Sequence, residues 1–422
     1  MIAQSLAADA LLGNAEHGTA VERILAMARS HLDMDVAFVS EWIDGQQVFR
    51  HLDGMNETFD MRVDSQGPLE GSYCIRVMDG RLPNFVGDAA GHPEVKDLEA
   101  TRDLKIGSYI GVPVRFSDGR FFGMLCCVSH TMEPTLNPRD VRFMEMLASL
   151  VADRLEADRA EQSGRHEVED RVRATLDGAE FDSYLQPIVR LADRSVVGFE
   201  ALTRFRGAHA RTPDVWFAEA TSVGLGIELE LAAARLALRS LRRLPAEAYL
   251  SLNFSPSTVV DPRLAALLRN EPAERIVLEV TEHDAVEDYP SLERTLKSLR
   301  SRGLRLAIDD AGAGFSSFRH VIQLAPDIIK ADVALTRGID RDPARQALTR
   351  SLARFAQETG AIIVSEGIET DAELRMAARL GVSLGQGYLL GRPAPAHTHF
   401  LIGHAPFRRT KGATSLGVFT SR

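Results

Sequence analysis

From about residue 180 onward the chain alternates short apolar runs with amphipathic stretches, over and over. SVVGFEA, AYLSLNF, RIVLEV, LRLAIDD, DIIKAD, AIIVSE and a short segment before Gln386 read as strands. ELELAAARLALRSLRRL and DPARQALTRSLARFAQETG have helical periodicity and lie between them. Repeated βα units over roughly 230 residues of one domain favour an α/β barrel of the TIM type over a doubly wound sheet.

The strands share a polar ending. Glu200 follows VVGF, Asn253 follows LSL, and Glu279 follows IVL. Asp309 and Asp310 follow LAI, Lys330 follows DII, Glu366 follows IIVS, and Gln386 precedes Gly387-Tyr388. In a βα barrel, chemistry gathers at the C-terminal ends of the strands. Taken singly, an acid there is a helix cap or surface group, Asn253 a turn residue and Lys330 solvated surface. Seven strand ends carrying oxygen donors or an ammonium are much harder to dismiss.

Two neighbouring carboxylates at the end of an apolar strand are costly to bury unless cations neutralise them. Carboxylates with an amide oxygen suit Mg²⁺ or Mn²⁺, and the lack of a His/Cys cluster disfavours a structural zinc. Two such cations bind phosphate oxygens, activate a water and stabilise a leaving oxygen. Lys330 would hold the attacking water or offset phosphate charge. Arg204, four residues after Glu200, is placed to clamp a phosphate. The residues alone point to metal-assisted phosphodiester hydrolysis.

The same residues carry a resemblance. GFEALTRF, with Glu200-Ala201-Leu202, resembles the signature of the EAL-domain cyclic di-GMP phosphodiesterases. The similarity continues through Gln186-Pro187-Ile188, LNFS at Asn253, LEVTE with Glu279 and Glu282, and DDAGAGFSS. It extends to IIKAD with Lys330 and Asp332, SEGIET with Glu366 and Glu369, and GQGYLLGRP with Gln386. It covers residues 172–403.

The resemblance implies hydrolysis of cyclic di-GMP to linear pGpG with two Mg²⁺ or Mn²⁺ ions per site. It implies Glu200, Asn253, Glu279, Asp309 and Asp310 as metal ligands, with Asp309 bridging. Lys330 would position the water with Glu366 and Gln386, and Glu282 would steady the loop after Asp310. Gln186, Leu202, Arg204 and Glu369 would serve the substrate, although Glu369 also reads as a helix cap. The family further implies one antiparallel barrel strand and a working dimer near the loop after Asp310; the expected partner is a second copy, in a homodimer through the linker helix and the barrel. The loop departs from the family: Ala311-Gly312-Ala313-Gly314-Phe315 replaces a Phe followed by Gly-Thr-Gly-Tyr. Ser365, where Ala is common, is a minor departure. A non-catalytic cyclic di-GMP receptor and a protein-interaction scaffold stand as alternatives.

The first half has a different texture. HGTAVERILAMARSHL is helical, and VAFVSEWIDGQQVFRHLDG reads as two strands around Asp44-Gly45. SYIGVPVRFSDGRFFGMLCCVSH gives two more around Asp118-Gly119, and resembles the closing strands of a GAF domain. Cys74, Arg76, His92 and Tyr109 are candidate pocket residues, against the plainer reading of Cys74 as a small buried residue and His92 as a loop residue. Cys126 and Cys127 point to opposite faces of one strand, so at most one lines a pocket. Any GAF ligand is left open.

Pro138 opens a charged helix in which Met144, Leu147, Val151 and Leu155 share a face. That stripe either packs the domain or pairs with a copy of itself. The expected organisation is a GAF-like sensor over 1–137 (core 17–157), a helical linker over 138–171, a barrel over 172–406 and a flexible tail over 407–422.

Composition narrows the class further. With 45% hydrophobic and 26% charged residues the chain is ordinary globular material. No run of 18 apolar residues suggests a membrane span, and residues 1–22 lack the features of a signal peptide. Three cysteines without paired or metal-ligand spacing fit a reducing cytoplasm. A net charge of −10 argues against a nucleic-acid polymer as partner but not against a small anion in a local pocket.

Overall fold

The computed structural model describes residues 19–206, 211–280, 288–311, 321–396 and 398. Glu282, residues 312–318 of the departing loop and the tail from Phe407 lie outside these. The chain divides into two compact units, residues 1–164 and 165–422.

The first unit is built on a six-stranded sheet. Its strands are β1 (Val36–Ile43), β2 (Gln46–Gly54), β3 (Gln66–Pro68), β4 (Phe85–Val86), β5 (Ser108–Arg115) and β6 (Phe121–Ser129), in the order β3-β2-β1-β6-β5-β4. Each neighbouring pair is antiparallel. The β1–β2 turn falls at Asp44-Gly45, both with positive φ (48° and 76°), the geometry that matches the twist of a tight hairpin. Helix α1 (Ala20–Leu32) starts at Thr19, whose side chain and that of Glu22 cap each other's backbone.

Strand alternation sorts the core into two faces. Ala37, Val39, Ile110, Val112, Leu125 and Cys127 pack with Leu25 and Ala28 of α1. Phe38, Tyr109, Met124 and Cys126 face the other way, among Phe59, Tyr73 and Val95. Cys126 and Cys127 therefore separate as expected. Tyr73 and Cys74 open the short helix α2 (Tyr73–Met78). Glu99–Asp103 forms α3.

Helix α4 (Pro138–Asp177) runs unbroken for 40 residues, through the polar stretch 161–173. The division between the two units falls inside it. Met144, Leu147 and Val151 are buried in the first face of the sheet, with Leu155 packed against them. The stripe on this helix is core of its own unit, the plainer of the two readings.

The second unit is a closed eight-stranded barrel: β7 (Phe181–Arg190), β8 (Val196–Phe205), β9 (Tyr249–Phe254), β10 (Ile276–Val280), β11 (Arg305–Ala311), β12 (Ile328–Ala331), β13 (Ile362–Ser365) and β14 (Leu384–Gly385). A further short strand, β15 (Ala394–Pro395), pairs with β7. β8 through β14 are parallel. β7 is antiparallel to both β8 and β14, which closes the ring. β7 was not legible as a strand, because Pro187 and the polar Asp182-Ser183 interrupt its apolar pattern.

Outward residues such as Leu250, Leu252, Ile276, Leu278, Leu306 and Ile329 pack on the helices. Helix Gly226–Leu241 supplies Ala234, Leu238 and Leu241, Tyr289–Arg300 supplies Leu292, Leu296 and Leu299, and Pro343–Thr359 supplies Leu352 and Ala356. Inward residues Ile188, Tyr249, Val277, Ala307, Ile328, Val364 and Leu384 fill one apolar layer of the barrel. Gly198 completes it, where a Cβ would lie 2.6 Å from the Tyr249 ring.

Candidate active site at the barrel mouth

The period of two that builds the apolar layer also builds the site. Moving two residues along each strand toward the barrel's mouth reaches Gln186, Glu200, Ser251, Glu279, Asp309, Lys330, Glu366 and Gln386. Every one of the eight strands thus delivers a polar side chain to the layer above Tyr249 and Val277.

Lys330 is the centre of that layer, with 1% of its surface exposed. Its Nζ lies 2.8 Å from Glu279 Oε2, 2.8 Å from Glu366 Oε1, 3.0 Å from Asp309 Oδ1 and 3.5 Å from Glu200 Oε2. Burial works against its charge, but the carboxylates of Asp309, Glu200, Glu279 and Glu366 prevail and hold its pKa well above the usual lysine value. Lys330 stays an ammonium.

One ammonium does not satisfy the acids around it. Burial pushes the carboxyls of Glu279 and Glu366 up despite the attraction of Lys330, with neighbouring carboxylates adding to the rise. Asp310 is pushed up to about 6 by burial and by Asp309 and Asp332. Ligand oxygens of Glu200, Glu279 and Asp309 lie within 4.8 Å of one another, and so do those of Asp309, Asp310 and Glu366. At such spacing each carboxylate pair repels by roughly 3–4 kcal/mol at an effective dielectric of about 20. Two trios of hard oxygen donors sharing Asp309 fit a pair of divalent cations.

Asp310 departs from the strand's alternation. Its φ of 55° is left-handed, β11 loses regular register with β12 between Ile308 and Ala311, and its N–H turns back to Asp309 Oδ1 at 3.1 Å. This break is what lets consecutive aspartates serve one site.

The amides form a chain along the opposite wall. Gln386 Nε2 donates to Glu200 Oε2 at 2.6 Å and to Gln186 Oε1 at 3.0 Å, and Gln186 Nε2 donates to Gly391 O at 3.1 Å. Gln386 Oε1 is buried without a hydrogen-bond partner among the described residues. Asn253 sits one step higher on β9 and donates Nδ2 to Glu200 Oε1 at 3.0 Å.

Leu202 and Arg204 continue the Glu200 face of β8 and line, with Asn253, Phe217, Glu230 and Ser255, an adjoining cavity of about 280 Å³. Glu369 does not join the cluster: it is exposed and its carboxylate pairs with Arg337 at 2.9 Å. The cap of helix Asp371–Arg379 is Thr370, not Glu369.

Ser251 is the residue that sequence reasoning passed over. Its hydroxyl donates to Glu279 Oε1, at full burial. The signal was available: Ser251 stands two residues before Asn253, on the same face of the same strand. Ser365 Oγ lies 2.6 Å from Thr336 Oγ1, both buried, which anchors the strand end just before Glu366.

The EAL domain family model matches residues 169–393. The chain belongs to the EAL-domain family. A GAF domain model matches residues 16–155, so the EAL barrel follows a GAF domain. The Escherichia coli K12 protein named probable cyclic di-GMP phosphodiesterase PdeD is 28% identical over 51% of this chain and 42% of its own length. The Pseudomonas aeruginosa PAO1 protein named cyclic di-GMP phosphodiesterase RocR is 33% identical over 56% of this chain and 62% of its own. The matched region thus spans less than two thirds of either relative. Among solved structures, the PaMucR phosphodiesterase in complex with c-di-GMP is 27% identical, with a TM-score of 0.51, over 55% of this chain and 99% of that one. Within the described residues, no helix of this EAL protein is long and apolar enough to cross a membrane.

Proposed function

We propose that the EAL barrel hydrolyses cyclic di-GMP to linear pGpG, using two Mg²⁺ or Mn²⁺ ions. The observation that carries this is the set of five carboxylates, Glu200, Glu279, Asp309, Asp310 and Glu366, around the buried ammonium of Lys330. A site that only bound the nucleotide would gain nothing from such concentrated, mutually repelling charge.

Glu200, Glu279 and Asp309, with Asn253, would hold one cation, and Asp309, Asp310 and Glu366 the other. When bound, the cations supply positive charge against the phosphate and lower the pKa of a water. Lys330 keeps its protons and so acts as a fixed positive charge and donor, not as a base. Its contacts to Glu279, Glu366 and Asp309 hold those carboxylates in place before substrate arrives, which removes reorganisation from the reaction. Gln386 Oε1, buried and unpartnered among the described residues, would accept a hydrogen bond from the attacking water. Glu366, paired with Lys330 at 2.8 Å, would take the water's other proton as it attacks. Leu202 and Arg204 receive the substrate in the adjoining cavity, Arg204 against a phosphate. Gln186 holds Gln386 in place. Glu282 would steady the loop after Asp310.

The GAF-bearing half would regulate this activity in a cytoplasmic homodimer. Equal turnover by the full chain and by residues 172–422, at equal dimerisation, would remove that part of the reading.

The central test is turnover of cyclic di-GMP by the full chain with Mg²⁺ or Mn²⁺, beside Glu200→Ala. The expected result is pGpG from the native chain and none from the variant. Binding without turnover would make the protein a receptor, and neither binding nor turnover would leave a scaffold.

A further inference from the structure

The three cysteines have no paired spacing, yet the fold of the first unit brings two of them together. Cys74 on α2 and Cys126 on β6 are 52 residues apart in sequence, and their Sγ atoms are 3.5 Å apart. Both are buried. Cys74 lines a cavity of about 420 Å³ whose walls include Phe38, Phe49, Met61, Tyr73 and Tyr109.

Other polar groups converge on this pair. Gln47 Nε2 donates to Cys74 Sγ at 3.5 Å while held by Ser40 Oγ at 3.1 Å. The Tyr109 hydroxyl lies 3.6 Å from Cys74 Sγ, to which it donates, and 3.4 Å from Cys126 Sγ. Tyr109 reaches that position because the next residue on its face is Gly111. A Cβ there would lie 2.0 Å from the Tyr109 hydroxyl oxygen and 2.9 Å from Cys126 Sγ.

We propose that Cys74, in the cavity wall, and Cys126, in contact with it, are an oxidisable dithiol, in which Cys74 reacts with a peroxide and Cys126 converts the product to a disulfide. An amide N–H, a hydroxyl and a thiol all face the sulfur of Cys74, and hydrogen-bond donors stabilise a thiolate. The hydrogen bond from Cys126, ahead of those from Tyr109 and Gln47, holds the Cys74 thiol below its ordinary pKa in spite of burial. Burial pushes the Cys126 thiol up. Position makes the roles unequal: Cys74 lines the cavity and receives the Gln47 donor, so Cys74 attacks and Cys126 resolves.

The chemistry balances. The Cys74 thiolate attacks one peroxide oxygen, an S–O bond forms, the O–O bond breaks, and the leaving hydroxide takes a proton to become water. Cys126 then attacks the sulfur of the resulting sulfenic acid. An S–S bond forms, the S–O bond breaks, and the thiol proton leaves with the hydroxyl as a second water. Two thiols and one hydrogen peroxide give one disulfide and two waters. The sulfurs must close from 3.5 Å to about 2.0 Å, which draws α2 toward β6 at the cavity wall. Disulfides in a reducing compartment are usually transient and redox-sensing, which is the behaviour expected of this pair.

Cys127 is the internal control. It lies on the opposite face of β6 in the apolar core, and burial pushes its thiol far up.

The test treats the reduced full chain with hydrogen peroxide, then denatures it, counts free thiols and maps the peptides by mass spectrometry. The expected result is loss of two of the three free thiols, a Cys74–Cys126 disulfide within one chain, an intact Cys127 and full recovery with dithiothreitol. In Cys126→Ser, dimedone should label Cys74; in Cys74→Ser it should label neither remaining cysteine. Full retention of thiols at peroxide levels that oxidise free cysteine would overturn the proposal. So would oxidation of Cys127 as fast as Cys74, or disulfides found only between chains. The mapping of the native chain decides the matter even if a variant fails to fold.

Discussion

Lys330 Nζ lies 2.8 Å from Glu279 Oε2 although both side chains are at most 2% exposed. Such a pair is held by its surroundings, because each charge left alone would face a large desolvation penalty. Here the ammonium also serves Asp309 and Glu366, so its loss leaves several buried acids unpaired. Lys330→Met should lower stability by about 3–5 kcal/mol in chelator. Divalent cations should restore part of it by supplying the missing charge. Denaturant melts of the variant with EDTA and with Mg²⁺ check both points. An unchanged midpoint on removal of the lysine would show that the acids do not depend on it.

Ser251→Ala removes the hydroxyl that donates to Glu279 Oε1 and leaves that oxygen buried without its partner. The expected loss is about 1–3 kcal/mol, divided between stability and function. Its functional share should appear as a lower kcat with little change in KM, because Ser251 aims Glu279 and lies outside the adjoining cavity. Ser251→Thr, which keeps the hydroxyl, should retain more activity. A KM effect alone would place Ser251 in substrate binding instead.

Gly387 follows the amide that links Glu200 to Gln186. Its φ is 152°, and a Cβ there would lie 2.3 Å from the backbone N and O of Ile368. Backbone cannot give way as a side-chain tip can, so Gly387→Ala must shift Gln386. Overpacking of this kind costs about 1–3 kcal/mol. Turnover should drop by more than the melting temperature predicts; equal turnover in the folded variant would remove the need for Gln386 at its present position.

Gln386→Ala tests the unpartnered oxygen directly. It also deletes the donors to Glu200 and Gln186, so a comparison is needed. Gln186→Ala removes only the far support. If Gln386 Oε1 receives the attacking water, Gln386→Ala should lower kcat roughly 10²-fold or more, the scale of lost general-base positioning. Gln186→Ala should lower it far less. Similar losses in the two variants, measured by steady-state turnover, would reduce Gln386 to a brace.

How much of this was legible beforehand differs from residue to residue. Glu200, Glu279, Lys330 and Glu366 could be read from the chain because each stands at the end of an apolar run, and period two then dictates which face it takes. Helix α4 announced its buried stripe by spacings of three and four. The antiparallel β7 stayed hidden, since its pairing is made with β8 and β14 and its own residues carry Pro187 and two polar positions. Ser251 was overlooked because a serine inside an apolar strand looks like filler until its neighbour is known.

The alternation of parallel strands and helices, the barrel class and the acidic strand ends follow from the sequence by itself, because hydrophobic periodicity and strand-end chemistry are local properties. Distances between strands are not. Only the tertiary structure decided that Lys330 reaches four carboxylates at once, that Gln386 is left with a bare oxygen, and that Glu369 turns away to Arg337. It alone decided that Cys74 meets Cys126 across 52 residues. Each is a contact between segments distant in sequence, set by the register of the sheets and the packing of the elements around them, for which no local pattern carries a signal.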